Sequence, residues 1–162
     1  MQEKKITYRA EVRRQDRDAV GLLVAATGFF STEEIDIARE LVEERLKKGE
    51  SSGYFFLLAE ETNRLVGYAC FGPIPGTVHS FDLYWIAVHP SGQGRGIGRA
   101  LLEAAEQVMA ARGAQRIYVD TSSRPQYAPT RLFYTACGYR EAAFLEDFYA
   151  PQDGKIIFVK AF

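Results

Sequence analysis

"HPSGQGRGIGRALLEAAE", residues 89–106, places glycine at alternate positions 92, 94, 96 and 98 and then runs into an alanine- and leucine-rich helix. Glycine has the most backbone freedom to lose on folding, so such density needs a reason. A strand, a glycine run and a helix N-terminus together make an anion site. First-turn amides lack intrahelical partners, the helix dipole adds partial positive charge, and missing side chains let a phosphate approach. Arg95 and Arg99 add positive charge within the loop and at its exit. The plainer alternative is a tight turn, which needs fewer glycines than four.

Two phosphate motifs can be tested by spacing. A P-loop requires G-x-x-x-x-G-K-[ST], and no Lys-Ser or Lys-Thr follows these glycines. The dinucleotide fingerprint G-x-G-x-x-G/A gains interest from Asp120, 22 positions after Gly98, where a ribose-binding acid belongs. It fails in every register, because its last position falls on Ile97, Arg99 or Leu101.

Around this stretch the chain alternates short strands and helices without a repeat or low-complexity tract. Residues 5–10 predict a strand and 16–28 a helix, with Ala19, Val20, Leu22, Leu23 and Ala26 at helical spacing. Ser31-Thr32-Glu33-Glu34 is a capping box opening a helix to Lys48, which Gly49 ends. Residues 54–60 and 65–71 predict a hairpin across the turn 61–64. The loop "GPIPGTVHS" follows, then strand 82–88, the glycine run and a helix over 98–112. Strand 116–121, helix 129–137 and strands 140–148 and 155–162 complete the order β-α-α-β-β-β-α-β-α-β-β. This predicts an α/β (α+β) chain, a single domain over residues 1–162 with one mixed, mostly antiparallel central sheet flanked by helices.

Composition narrows the function. The 162 residues are 47% hydrophobic and 25% charged, with net charge −1. A pI near 6.2 and scattered basic residues give a nucleic-acid partner no electrostatic support. No apolar run approaches the ~20 residues that span a bilayer, and "MQEKKITYRAEVRRQDRD" lacks the apolar centre of a secretion signal. Cys70 and Cys137 have no metal-ligand spacing and read as buried thiols, so a reducing cytoplasm and no metal are expected.

The pattern that does fit is Gln93-x-x-Gly96-x-Gly98. It resembles the pyrophosphate motif [QR]-x-x-G-x-[GA] of the GNAT superfamily of acyl-CoA-dependent N-acyltransferases. The likeness takes in the preceding strand "DLYWIAVHP" and the later "PTRLFYTACGYRE", similar to the family's F-Y-x-x-x-G-[FY] segment. It implies a GNAT fold with acetyl-CoA as cosubstrate, and main-chain amides of Gly94, Arg95, Gly96, Ile97, Gly98 and Arg99 around the pyrophosphate. Ile86, Ala87 and Val88 match the strand that pairs with the pantetheine arm, and an amide near Ile86 matches the oxyanion donor.

The resemblance also makes Tyr134 the general acid for the departing thiolate, against the alternative of a core aromatic. Several relatives carry a base carboxylate eleven residues before the motif, here Asp82. Asp120, Glu60 or a water chain stay open as the base, and His79 as a proton shuttle. Many relatives carry Asn where this chain has Tyr127, and "TSSRPQYAPT" is longer than the commonest connection. Both leave that loop's cofactor contacts open.

The implied partner is a small-molecule or peptide amine. Phe29, Phe30, Tyr84, residues 73–80 and Tyr127 are the expected lining, aromatic rather than acidic. The C-terminal edge strands leave room for a homodimer. A non-catalytic acyl-CoA sensor of the same fold, and the dinucleotide enzyme, are the competing function classes.

Overall fold

The structure is a computed structural model that describes residues 4–162. Its elements are β1 Ile6–Arg9, α1 Asp16–Ala26, α2 Thr32–Lys48, β2 Phe55–Glu61, β3 Arg64–Pro73, β4 Ser80–Val88, α3 Ile97–Ala111, β5 Arg116–Ser122, α4 Ala128–Ala136, β6 Arg140–Ala150 and β7 Asp153–Ala161. Helix and strand order match the sequence expectation. The strands follow the order β1-β2-β3-β4-β5-β7-β6 in one seven-stranded sheet. β4/β5 is parallel, whereas β1/β2, β2/β3, β5/β7 and β6/β7 are antiparallel. The expected mixed, mostly antiparallel sheet is therefore present.

The chain packs as two compact units, one of residues 4–72 with Trp85–Val108 and one of Pro73–Tyr84 with Met109–Phe162. In the first, α1 and α2 bury Val20, Leu23, Val24, Ala38 and Val42 with Phe56, Leu58 and Tyr68. Leu22 was expected in the apolar stripe of α1 but is 70% exposed. Val20, Leu23 and Val24 occupy the i, i+3, i+4 face, and position 22 lies across the helix from it.

Ser31 caps α2 as expected, its Oγ accepting from the Glu34 amide while Glu34 accepts from the Ser31 amide, both at 3.2 Å. The β2–β3 turn is tighter than expected. Glu61 and Arg64 pair in the ladder, leaving Thr62 and Asn63 at φ 51° and 60°. Two left-handed residues make the turn whose twist suits a two-residue hairpin.

Arg9 fastens β1, donating to both Asp16 carboxylate oxygens at 2.8 and 2.9 Å and to Glu60 at 2.6 Å. Asp16 also accepts from the Arg13 amide at 2.6 Å. Only 3% of the Asp16 side chain is exposed, so removing one partner would strand a buried charge, at a cost of about 3–5 kcal/mol.

In the second unit, Tyr134 on α4 contacts Phe158 of β7, and Ile117 and Val119 of β5 join the same buried set. The last turn was expected over 150–154 but is confined to Pro151 and Gln152, with Asp153 already paired to Ala150. Gln152 takes φ 67° and its amide donates to Asp147 Oδ1 at 2.7 Å, which closes the turn early. β6 ends the strand order, and all eleven of its residues are exposed. Among the described residues no helix is long and apolar enough to cross a membrane.

Candidate active site

The glycine loop belongs to the first unit. The His89 amide donates to Val66 O at 2.8 Å, which ties the end of β4 to β3. A single 3-10 turn over Pro90–Gly92 follows, capped by His89 Nδ1 accepting from the Ser91 amide at 3.1 Å. The glycines then part company in their reasons. A Cβ on Gly92 would stand 2.9 Å from Ile97 Cδ1 and 3.3 Å from Val88 Cγ1, so this glycine serves packing.

Gly94 and Gly96 take φ 76° and 75°, a conformation side-chain residues rarely adopt, and a Cβ there would meet open space. Left-handed positions alternating with Arg95 and Ile97 follow the pattern by which successive amides form an anion-binding concavity. Among the described residues, no backbone hydrogen bond is donated by the amides of Gly94, Arg95, Gly96, Ile97, Gly98 or Arg99. The first one past Gln93 runs from Ala100 N to Gly96 O at 3.1 Å. These amides sit at the positive end of α3, which Ile97, Leu101, Leu102, Ala105 and Met109 bury firmly.

The two arginines are committed locally. Arg95 grips Glu61, 9% exposed, at 2.8 and 3.0 Å, and this pair holds the Glu61 carboxyl below its usual range. Arg99 bonds Glu103 at 3.2 Å in an exposed i, i+4 pair. Gln93 is exposed at the loop entrance. Ala87 is buried while Ile86 and Val88 are half-buried, and a Cβ on Gly67 would come within 3.2 Å of Ala87 O.

The acid–base candidates lie in the second unit. β4 pairs with β5 through Ser80, Phe81 and Asp82 opposite Arg116, Ile117 and Tyr118. The ladder stops there, although β4 runs to Val88 and β5 to Ser122. Asp82 is half-buried at that last rung. Burial and then the Asp120 charge raise its carboxyl above the usual range, and Lys155 partly offsets them. Asp120 accepts from Lys155 Nζ at 2.8 Å.

Tyr134 is 4% exposed among Phe133, Tyr139 and Phe158, with ring centroids at 5.4, 5.6 and 5.9 Å. Burial, then the Cys137 charge, push its phenol well above the ordinary value of 10. It stays protonated, as a proton donor must. Tyr127 ends a 3-10 turn under the Arg124 guanidinium, 5.7 Å from its ring centre.

Other candidates have structural employment. Glu60 is paired to Arg9 in the first unit, and His79 Nδ1 lies 3.2 Å from Gly113 O. Phe30 packs on Trp85 at 4.9 Å, whereas Phe29 and Tyr84 are exposed. Cys70 and Cys137 are buried and form no disulfide. Among the described residues no cluster of His, Cys, Asp and Glu could hold a metal ion.

The acetyltransferase (GNAT) family pattern matches residues 11–139. The chain belongs to the GNAT acetyltransferase family. A GNAT-family protein from Desulfovibrio desulfuricans is 43% identical in sequence, with TM-score 0.96 over 97% of this chain and 99% of that one. A PaiA N-acetyltransferase from Thermoplasma acidophilum, solved with coenzyme A, shares the fold at TM-score 0.74 and 20% identity over 98% and 99% of the two chains. Mycothiol acetyltransferase of Amycolatopsis mediterranei (strain U-32) is 31% identical over 144 residues, 83% of this chain. This chain spans 46% of that relative's length, about half.

GNAT motif matching alone singles out neither Glu61, which anchors Arg95, nor Lys155, which balances Asp120. Each lies far in sequence from its partner, and no local spacing announces such pairs.

Proposed function

We propose that this GNAT domain, spanning residues 1–162, transfers an acetyl or other short acyl group from coenzyme A to a primary amine by direct attack. The observation that carries this reading is the row of amides at positions 94–99, left without backbone partners at the N-terminus of α3. They cradle the pyrophosphate, with Gln93 and Arg99 at the flanks. Ile86, Ala87 and Val88 offer backbone to the pantetheine arm, consistent with a β4–β5 ladder that stops at Asp82. The Ile86 amide polarises the acyl carbonyl.

An alkyl amine with pKa near ~10.4 is almost wholly protonated at neutral pH, so its proton must leave before attack. Asp82 accepts that proton, directly or through water. Tyr134 gives its phenolic proton to the thiolate as the tetrahedral intermediate collapses. Small-molecule and peptide amines are both suitable acceptors. The setting is a reducing cytoplasm, in which Cys70 and Cys137 stay thiols.

A base must be ionised to work, and a raised pKa moves the loss of activity on acidification to higher pH. The acid limb of kcat should therefore lie above the ~3.9 of an ordinary aspartate. Asp120→Asn removes the like charge and should move that limb down. A limb that stays put in this variant would remove Asp82 from the role.

We also propose that a second copy of the chain pairs along the edge strand β6, whose exposed residues include Phe144, Leu145, Phe148 and Tyr149. Sedimentation velocity should show a dimer at micromolar concentration. A monomer there would contradict this pairing.

A further inference from the structure

Beside the glycine loop, Lys4, Lys5, Ile6, Arg95 and Ile97 line an open cleft of about 590 Å³. Three of these five residues are cationic, although the chain as a whole carries −1. The carboxylate beneath them is Glu61, which Arg95 grips with two N–H groups. Set against three cations, it leaves the cleft with a net charge of +2.

Guanidinium carries five N–H donors, so the pair with Glu61 leaves three of them to donate elsewhere. Glu61 is also nearly buried, which fixes the direction in which Arg95 points. Arg95 and Ile97, the first residue of α3, both line the cleft, so it borders two of the six residues whose amides are proposed to hold pyrophosphate.

An amide cradle accounts for the two bridging phosphates of coenzyme A. It leaves a third group, the phosphate monoester on the ribose, which carries about −1.5 to −2 at pH 7. A cleft of net +2 complements that charge. We propose that Lys4, Lys5 and Arg95 bind the ribose phosphate monoester of the acyl-CoA substrate and make this domain discriminate CoA from its dephospho form. This rests on the transferase reading above. The lysines are exposed, so the discrimination weakens with added salt.

The test compares acetyl-CoA with acetyl-dephospho-CoA by calorimetry in the wild type and in the Lys4→Gln/Lys5→Gln variant. That variant leaves the Arg95–Glu61 pair intact, and both lysines lie outside any helix or strand. The wild type should prefer acetyl-CoA by roughly five- to tenfold, the worth of two or three exposed ion pairs. The variant should bind the dephospho form as the wild type does and lose most of that preference. Equal affinities in the wild type, or a preference unchanged in the variant, overturn the proposal and leave the transferase reading standing. A wild type that binds neither nucleotide overturns both.

Discussion

Tyr134→Phe should lower turnover roughly 10²–10⁴-fold, the usual worth of a general acid, while acetyl-CoA affinity stays close to that of the wild type. The substitution removes one hydroxyl and keeps the ring that packs against Phe133, Tyr139 and Phe158, so the cluster survives. Burial, and secondarily the Cys137 charge, raise the phenol above 10 and make the sign of the pH effect clear. A raised pKa keeps the acid protonated to higher pH. The wild-type rate should therefore not fall through loss of Tyr134's proton until above the ordinary tyrosine range. Turnover and affinity are to be measured on one preparation, with an amine the wild type accepts. Equal turnover in the two proteins would make Tyr134 a core aromatic and remove it from the acid role.

Gly96→Glu should weaken acetyl-CoA binding by roughly 10²-fold or more, since a carboxylate set against a diphosphate costs several kcal/mol. The fold should survive the same change. Open space surrounds the Cβ position, and an acidic side chain at a helix N-terminus suits the dipole. What remains is the left-handed φ of 75°, which costs a non-glycine residue about 1–2 kcal/mol. Gly96→Asn serves as the control, because asparagine tolerates that conformation and brings no charge. It should bind far better than the glutamate variant, with both showing native far-UV circular dichroism. Equal losses would assign the effect to loop strain, and unchanged affinity in Gly96→Glu would remove the pyrophosphate from this loop.

Much of the fold was legible because its signals are local. The Ser31 capping box, the stop at Gly49 and the strand–glycine–helix order all lie within a few residues of what they determine. Turn lengths were less legible. The 61–64 and 150–154 turns tighten because Thr62, Asn63 and Gln152 take left-handed φ, which their residue types permit without announcing. Leu22 shows how a short apolar run hides which members face the core.

In the site, the glycine motif gives its glycines one purpose where the structure gives two. Gly92 yields room to Ile97 and Val88, whereas Gly94 and Gly96 supply backbone conformation. The charges around the site were the least readable part. Arg9 joins Asp16 of α1 to Glu60 of β2, Arg95 reaches Glu61 at the end of β2, and Lys155 of β7 meets Asp120 of β5. Glu60, left open in the sequence as a base behind Asp82, is held by Arg9, 51 residues away in the chain.

The central claim is that the amides of Gly94, Arg95, Gly96, Ile97, Gly98 and Arg99 receive the pyrophosphate of acetyl-CoA. Nitrogen-15 amide spectra of the wild type, titrated with acetyl-CoA and separately with NAD, test it residue by residue. Acetyl-CoA should shift these six amides most strongly, as each gains an anionic acceptor, and NAD at the same concentration should leave them in place. Saturation with acetyl-CoA that leaves these amides unshifted, or shifts centred elsewhere in the chain, would contradict the account.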